Sequence, residues 1–192
     1  LLDLSLYKPT ALEKWIEKIY KANNILTPRD MDIYHIAEIF GGDIMETPIK
    51  SHARWEDDGD GYFVIFLNRA LDELSRRSEF HHELCHPLQH VGIQERLPKP
   101  FKDLQERQAR IFQLYASIPF FMVKELNMPN HKREAIGFLA EEFKVPYKLA
   151  ADRLNQIGRR IFQARFDIQF AQYLREEEQK INGKTISYKI KD

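Results

Sequence analysis

With 192 residues, 43% of them hydrophobic and 30% charged, the chain has the composition of a globular protein with room for a sizeable core. Basic and acidic residues balance at 29 each, so no global field draws the chain to nucleic acid or anionic lipid. No apolar run approaches bilayer-spanning length. The lone cysteine, Cys85, excludes an internal disulfide and fits a reducing compartment, with the cytoplasm expected.

Thr10 and Glu13 have the spacing of a capping box, and Leu12, Trp15, Ile16, Ile19 and Tyr20 follow at helical intervals, which predicts a first helix to about Asn23. Thr27-Pro28 predicts the start of a second helix, with Ile33, Ile36, Ala37 and Phe40 buried and Gly41-Gly42 ending it. From Asp43 the pattern turns to strands: Ile44 to Ile49, His52 to Glu56, and the apolar run Tyr62 to Leu67. Asp57-Asp58-Gly59-Asp60-Gly61 reads as a hairpin turn and lacks the ligand spacing of a calcium loop. Residues 68–90 are predicted mostly helical. A loop containing Pro98 and Pro100 leads to a helix from about Lys102 to Ser117, broken at Pro119. Beyond Met128-Pro129-Asn130, Glu134 to Phe143, the turn Lys144-Val145-Pro146, and Tyr147 to Ile157 have helix–turn–helix lengths. A last helix, Arg159 to about Glu178, is expected to turn Ile161, Phe162, Phe166 and Phe170 inward. Asn182-Gly183 suggests a hairpin turn in the tail.

The chemistry concentrates in Phe80-His81-His82-Glu83-Leu84-Cys85-His86. His82 and His86 are four residues apart, so a helix stacks both imidazoles on one face, where both can bind one divalent ion. Two imidazoles, a carboxylate and an open position describe a catalytic zinc site, with Glu83 placed to take a proton from water. The residues therefore point to a zinc endopeptidase. Glu106, on the next predicted helix, is the natural third ligand, and Glu95 in the intervening loop is the alternative. His90 extends the series but lies roughly 12 Å along the helix axis from His82, too far to share the ion, and is expected to be structural or to support a ligand. His81 points off the ligand face. Pro87 disfavours helical geometry at His86 and cannot donate to Glu83, so the helix is expected to kink or end there.

Phe80 to His90, Glu106-Arg107-Gln108-Ala109 with Phe112, and Ile118-Pro119 together resemble the ImmA/IrrE family of metallo-endopeptidases. That family pairs His-Glu-Leu-Gly-His with a downstream Glu-x-Glu-Ala-Asn-x-Phe-Ala-Ala segment ending in Met-Pro. The resemblance covers roughly residues 10–160. It implies an α+β fold: a zincin-like metalloprotease core over residues 1–127, with a small antiparallel sheet packed on helices. A helix–turn–helix-like helical region over residues 128–192 would pack on that core. It further implies one catalytic zinc on His82, His86 and Glu106, Glu83 as general base, and a helix–turn–helix repressor of a prophage, mobile element or stress regulon as the protein substrate. This sequence departs from the family pattern at Cys85, Gln108, Arg110 and Gln113-Leu114. Arg110 lies one turn after Glu106, where it is positioned to pair with that carboxylate.

The rival reading is a catalytically weak homologue acting as a repressor- or DNA-binding module through residues 134–158. Lys144, Lys148, Arg153, Arg159 and Arg160 supply positive charge there, but Glu134, Glu141, Glu142 and Asp152 offset much of it, which argues against DNA binding. An extended substrate would add to a sheet edge supplied by His52 to Glu56 or Tyr62 to Leu67. Tyr62, Tyr115, Tyr147 and the histidines are candidates for stabilising an oxyanion.

Overall fold

In a computed structural model, which describes residues 3–55, 61–90 and 97–189 with side chains to residue 180, helix α1 (Ala11–Ala22) starts on its predicted capping box. The Thr10 hydroxyl accepts from the Glu13 amide at 3.1 Å and the Glu13 carboxylate accepts from the Thr10 amide at 2.8 Å. Ile16 and Tyr20 face the core. The second helix starts later than Thr27-Pro28 predicts. Those residues form a 3-10 turn (Pro28–Asp30), where the Asp30 carboxylate takes the Thr27 amide and hydroxyl. Asp32 then caps α2 (Ile33–Ile39) by accepting from the His35 amide at 2.9 Å.

Gly41, at φ +85°, turns the chain out of α2 and into β1 (Gly42–Thr47). A Cβ at Gly42 would meet the Phe63 ring at 2.2 Å, so the strand can start there only with glycine. The sheet is completed by β2 (His52–Trp55) and β3 (Phe63–Asn68) in the order β1-β3-β2. β2 and β3 pair antiparallel, from His52 opposite Phe66 to Trp55 opposite Phe63. The turn expected between them lies largely outside the described residues. β1, however, runs parallel to β3, with Gly42 beside Phe63 and Thr47 beside Asn68. The sheet is thus mixed, where a wholly antiparallel one is expected. The chain from β1 crosses the end of β3 to reach its far side, and the Ser51 hydroxyl closes the crossing by accepting from the Asn68 amide at 3.1 Å. β3, the most apolar strand, takes the centre and buries Phe63, Ile65 and Leu67.

Asp72 caps α3 (Glu73–Gln89) by accepting from the Ser75 amide at 2.7 Å. Of the two outcomes expected at Pro87, a kink or an end, the end does not occur there: α3 runs two residues further. The bond lost at Pro87 is followed by an intact one from the His90 amide to the His86 carbonyl at 3.0 Å. α4 (Lys99–Ser117) packs against α3, with Gln113 Nε2 donating to the Ser78 carbonyl and hydroxyl at 2.8 and 3.0 Å. Pro119 stops α4 and opens the short α5 (Phe120–Val123). α6 (Lys132–Glu142) and the turn through Lys144 lead into α7 (Tyr147–Lys189). α7 is one continuous helix where two helices and a hairpin turn are expected. A single glycine such as Gly158 or Gly183 costs a helix interior only about 1 kcal/mol, which a long run of good helix formers absorbs.

Contacts divide the chain into two units, Pro9–Leu154 and residues 1–8 with 155–192. The first contains the sheet and α1 to α6. Its core carries an unexpected member, Arg153, which is fully buried. Nη2 of Arg153 meets Glu13 Oε1 at 2.8 Å, Nε donates to the Ile118 carbonyl at 3.0 Å, and the guanidinium lies 4.8 Å over the Tyr115 ring. Counting Arg153 toward a DNA-binding surface is therefore incorrect.

In the second unit, Tyr7 packs against α7, its hydroxyl taking Gln156 Nε2 at 3.2 Å, and Arg160 donates to the Lys8 carbonyl at 3.2 Å. Ile161 is buried as expected, but Phe162, Phe166 and Phe170 are 72%, 54% and 51% exposed, not inward. At 100° per residue they lie on roughly the opposite side of the helix from the buried Ile157 and Ile161.

Candidate metal centre

The one-turn spacing of His82 and His86 on α3 sets their rings 5.4 Å apart, and α4 brings Glu106 across to both. Glu106 Oε2 lies 3.3 Å from His82 Nε2, and Oε1 lies 3.8 Å from His86 Nε2. One donor atom from each residue falls within 4.8 Å of the others, so this trio could hold a metal ion. Bonds of 2.0–2.2 Å at a tetrahedral angle separate donors by roughly 3.3–3.6 Å, so the two histidine–glutamate distances lie near that range and the trio, spanning up to 4.8 Å, closes slightly around an ion. Protonation also fits. Burial holds both imidazoles below their usual range, His86 at about 4, so each keeps a lone pair at neutral pH.

Glu83 is buried beside this trio. Burial, reinforced by the negative charge of Glu79, pushes its carboxyl up to about 8. The backbone amide of Ala53 donates to it, which ties α3 to β2. β2 is an edge of the sheet and β3 its centre, so of His52–Glu56 and Tyr62–Leu67 only the first lies on an edge strand that could take an incoming strand. Lys50, just before β2, favours ionised Glu83 and opposes protonation of His82 and His86. Sequence reading passed over Lys50 because an exposed lysine in a loop carries no motif.

A second line of contacts runs away from the trio. His86 Nδ1 lies 3.0 Å from His90 Nδ1, and His90 Nε2 lies 3.1 Å from Gln108 Oε1. For His86 Nε2 to offer a lone pair, its proton must sit on Nδ1 and be donated to His90 Nδ1. His90 then carries its proton on Nε2 and donates it to the Gln108 carbonyl oxygen. Gln108, a departure from the family pattern, still supplies the acceptor that ends this chain. The arrangement orients His86 and fixes its tautomer. Replacing His90 with alanine is expected to weaken metal binding about 10- to 100-fold with the fold retained, measured by competition with a chromogenic chelator. Unchanged affinity would leave His90 with a packing role alone.

Among the described residues, the other candidates are not members of this cluster. His81 is buried with Nδ1 donating to the Arg77 carbonyl at 2.8 Å, its ring edge-on to Phe80, and burial lowers it to about 3. Cys85 is a buried thiol raised to about 12 by burial, a poor nucleophile and a poor redox sensor. Arg110 is exposed. Glu95, the alternative ligand, lies outside the described residues. The Tyr62 hydroxyl donates to Asp43 at 2.8 Å, Tyr115 lies under Arg153, and Tyr147 is exposed at the start of α7.

A buried glutamate and a His-His-Glu cluster beside an edge strand are the parts of a metallopeptidase. Sequence comparison agrees: residues 37–155 match the peptidase family described as the IrrE N-terminal-like domain, and the chain belongs to this ImmA/IrrE family. Among its relatives are two proteins of Bacillus subtilis (strain 168). The phage-like element PBSX protein XkdA is 31% identical over 155 residues, spanning 78% of this chain and 74% of the relative. The uncharacterized protein YqaB is 29% identical over 160 residues, spanning 83% and 91%. Among the described residues no helix is long and apolar enough to cross a membrane.

Proposed function

We propose that this metallopeptidase is a zinc-dependent endopeptidase that cuts a helix–turn–helix transcriptional repressor of a mobile element, prophage or stress regulon in the cytoplasm. The observation that carries the reading is the convergence of His82, His86 and Glu106 with Glu83 buried alongside. His82, His86 and Glu106 would hold the zinc, which supplies Lewis-acid polarisation of water and of the scissile carbonyl. Two imidazoles and a carboxylate favour zinc over the hard cations that select all-oxygen sites.

The substrate adds to the edge strand β2 as an extended strand, held by backbone hydrogen bonds beside Glu83. Glu83 takes a proton from the attacking water as the new C–O bond forms, then passes it to the departing amide nitrogen as the C–N bond breaks. A carboxyl near 8 without metal is poised for this exchange, and a nearby cation lowers it toward the ionised form that acts as base. Lys50 adds positive charge on the same side, favourable to negative charge developing on the substrate.

One relative is named for a phage-like element, which supports the mobile-element setting of this reading. The test is incubation with the helix–turn–helix repressor encoded nearest the gene, with and without a chelator. A discrete cut that the chelator abolishes is the expected result. An intact repressor, from a preparation that still cuts an unstructured protein in a chelator-sensitive way, would overturn the substrate and leave the chemistry standing.

A further inference from the structure

The outer part of α7 exposes an apolar stripe that neither the metal centre nor the core uses. Phe162, Phe166, Phe170 and Tyr173 are each more than half exposed. At 100° per residue they fall within about 80° of arc, a narrow seam of the kind helices bury against one another. Phe166 and Phe170 stack within the helix at 6.1 Å, presenting a continuous aromatic surface. A seam of this size is uncommon on a surface with no partner.

The charges flanking it say what the partner is. Arg159, Arg160 and Arg165 precede or accompany the first half of the seam, and Glu176, Glu177 and Glu178 follow its second half. Arg159 and Glu177 lie on the seam's own face, one at each end. Two copies laid parallel would set arginines against arginines and glutamates against glutamates. Laid antiparallel about a two-fold axis at the level of position 168, on the seam side, the same helices match along the seam and at its two ends. Phe166 meets Phe170 of the second copy, Phe162 meets Leu174, and Arg159 meets Glu177, all three pairs sharing that one centre. An isologous contact of this kind closes on itself and forms no filament.

We infer that the chain forms a homodimer through an antiparallel pairing of residues 159–177 of α7, with the aromatic seam as its core and Arg159–Glu177 pairs at both ends. The inference rests on α7 alone and stands or falls independently of the peptidase chemistry. The Glu177 carboxylate, 2.8 Å from Lys180 of its own helix, exchanges that exposed partner for the arginine of the second copy.

The test is sedimentation velocity of the purified full chain across a concentration series. A dimer is expected, and Phe166→Glu should convert it to monomer with unchanged helical circular dichroism and unchanged metal binding. Arg159→Glu and Glu177→Arg should each weaken the dimer about tenfold, since each sets two like-charged pairs in the interface. The double variant Arg159→Glu/Glu177→Arg should recover wild-type affinity, because the reversed pairs again match. A wild-type chain that stays monomeric overturns the inference, whether the seam folds back on its own chain or serves another protein. A dimer indifferent to Phe166→Glu, or a double variant no tighter than the singles, overturns it equally.

Discussion

Glu83→Gln should lower peptide-bond cleavage by on the order of 10²–10⁴-fold while leaving the metal bound, because the amide matches the shape of the carboxylate but cannot carry the proton. The same variant has a second expected signature that a packing role would not produce. The folded metal-free protein holds the Glu83 proton up to about pH 8, whereas the unfolded chain releases it near its ordinary value of 4.5. The native state therefore binds the extra proton between those values, and the stability this contributes is lost as pH rises through 8. His81 and His86 act with the opposite sign. Burial holds them at about 3 and 4 against an ordinary 6.5, so the unfolded state binds more protons below 6.5 and stability rises with pH up to that point. Between about 6.5 and 8 only the Glu83 contribution remains among these three. Urea unfolding of metal-free wild type should lose up to about 1.4 kcal/mol per pH unit across that window, and Glu83→Gln should not. Parallel pH profiles would mean that Glu83 is not the buried acid described.

The largest expected loss of stability comes from Arg153→Met. Glu13 and Arg153 are buried together, and removing the guanidinium leaves the Glu13 carboxylate without its 2.8 Å partner in the core. Breaking one side of such a pair destabilises by about 3–5 kcal/mol, a large fraction of the stability of a domain this size. The Ile118 carbonyl loses a donor and the Tyr115 ring loses its cation in the same substitution. Adding Glu13→Gln should return part of the loss by removing the stranded charge, although the capping contact of Glu13 Oε2 on α1 weakens with it. Denaturant midpoints of the single and double variants measure both effects. A loss below about 1 kcal/mol for Arg153→Met would show that the pair does not hold α1, α4 and α7 together.

The site was more legible in the sequence than the scaffold. His82, Glu83 and His86 can be read because a helix converts four-residue spacing into proximity, and Glu106 because it lies on the next helix in an acid-containing segment matching a family pattern. Local rules of this kind also predict the Thr10–Glu13 cap, the β3 strand and the break at Pro119. What escaped depends on which distant segments meet. Arg153 looks like a surface cation until the fold brings Glu13, 140 positions earlier, against it. Lys50 gains meaning only once β2 lies along α3. The parallel pairing of β1 is set by a crossing over the end of β3, and no turn signal encodes it. The aromatic residues of α7 were expected inward because apolar side chains usually are, yet Ile157 and Ile161 already occupy the buried face of that helix. His90 was legible as a supporting residue, whereas its contact with Gln108 required α4 in place.

The most direct measurement is zinc content and repressor cleavage followed together through chelation and metal return. One zinc per chain is expected, with cleavage lost on its removal, regained on adding zinc, and both lost in Glu106→Ala. Cleavage that persists at full rate in metal-free protein, or in Glu106→Ala without bound zinc, would contradict the proposed metal centre.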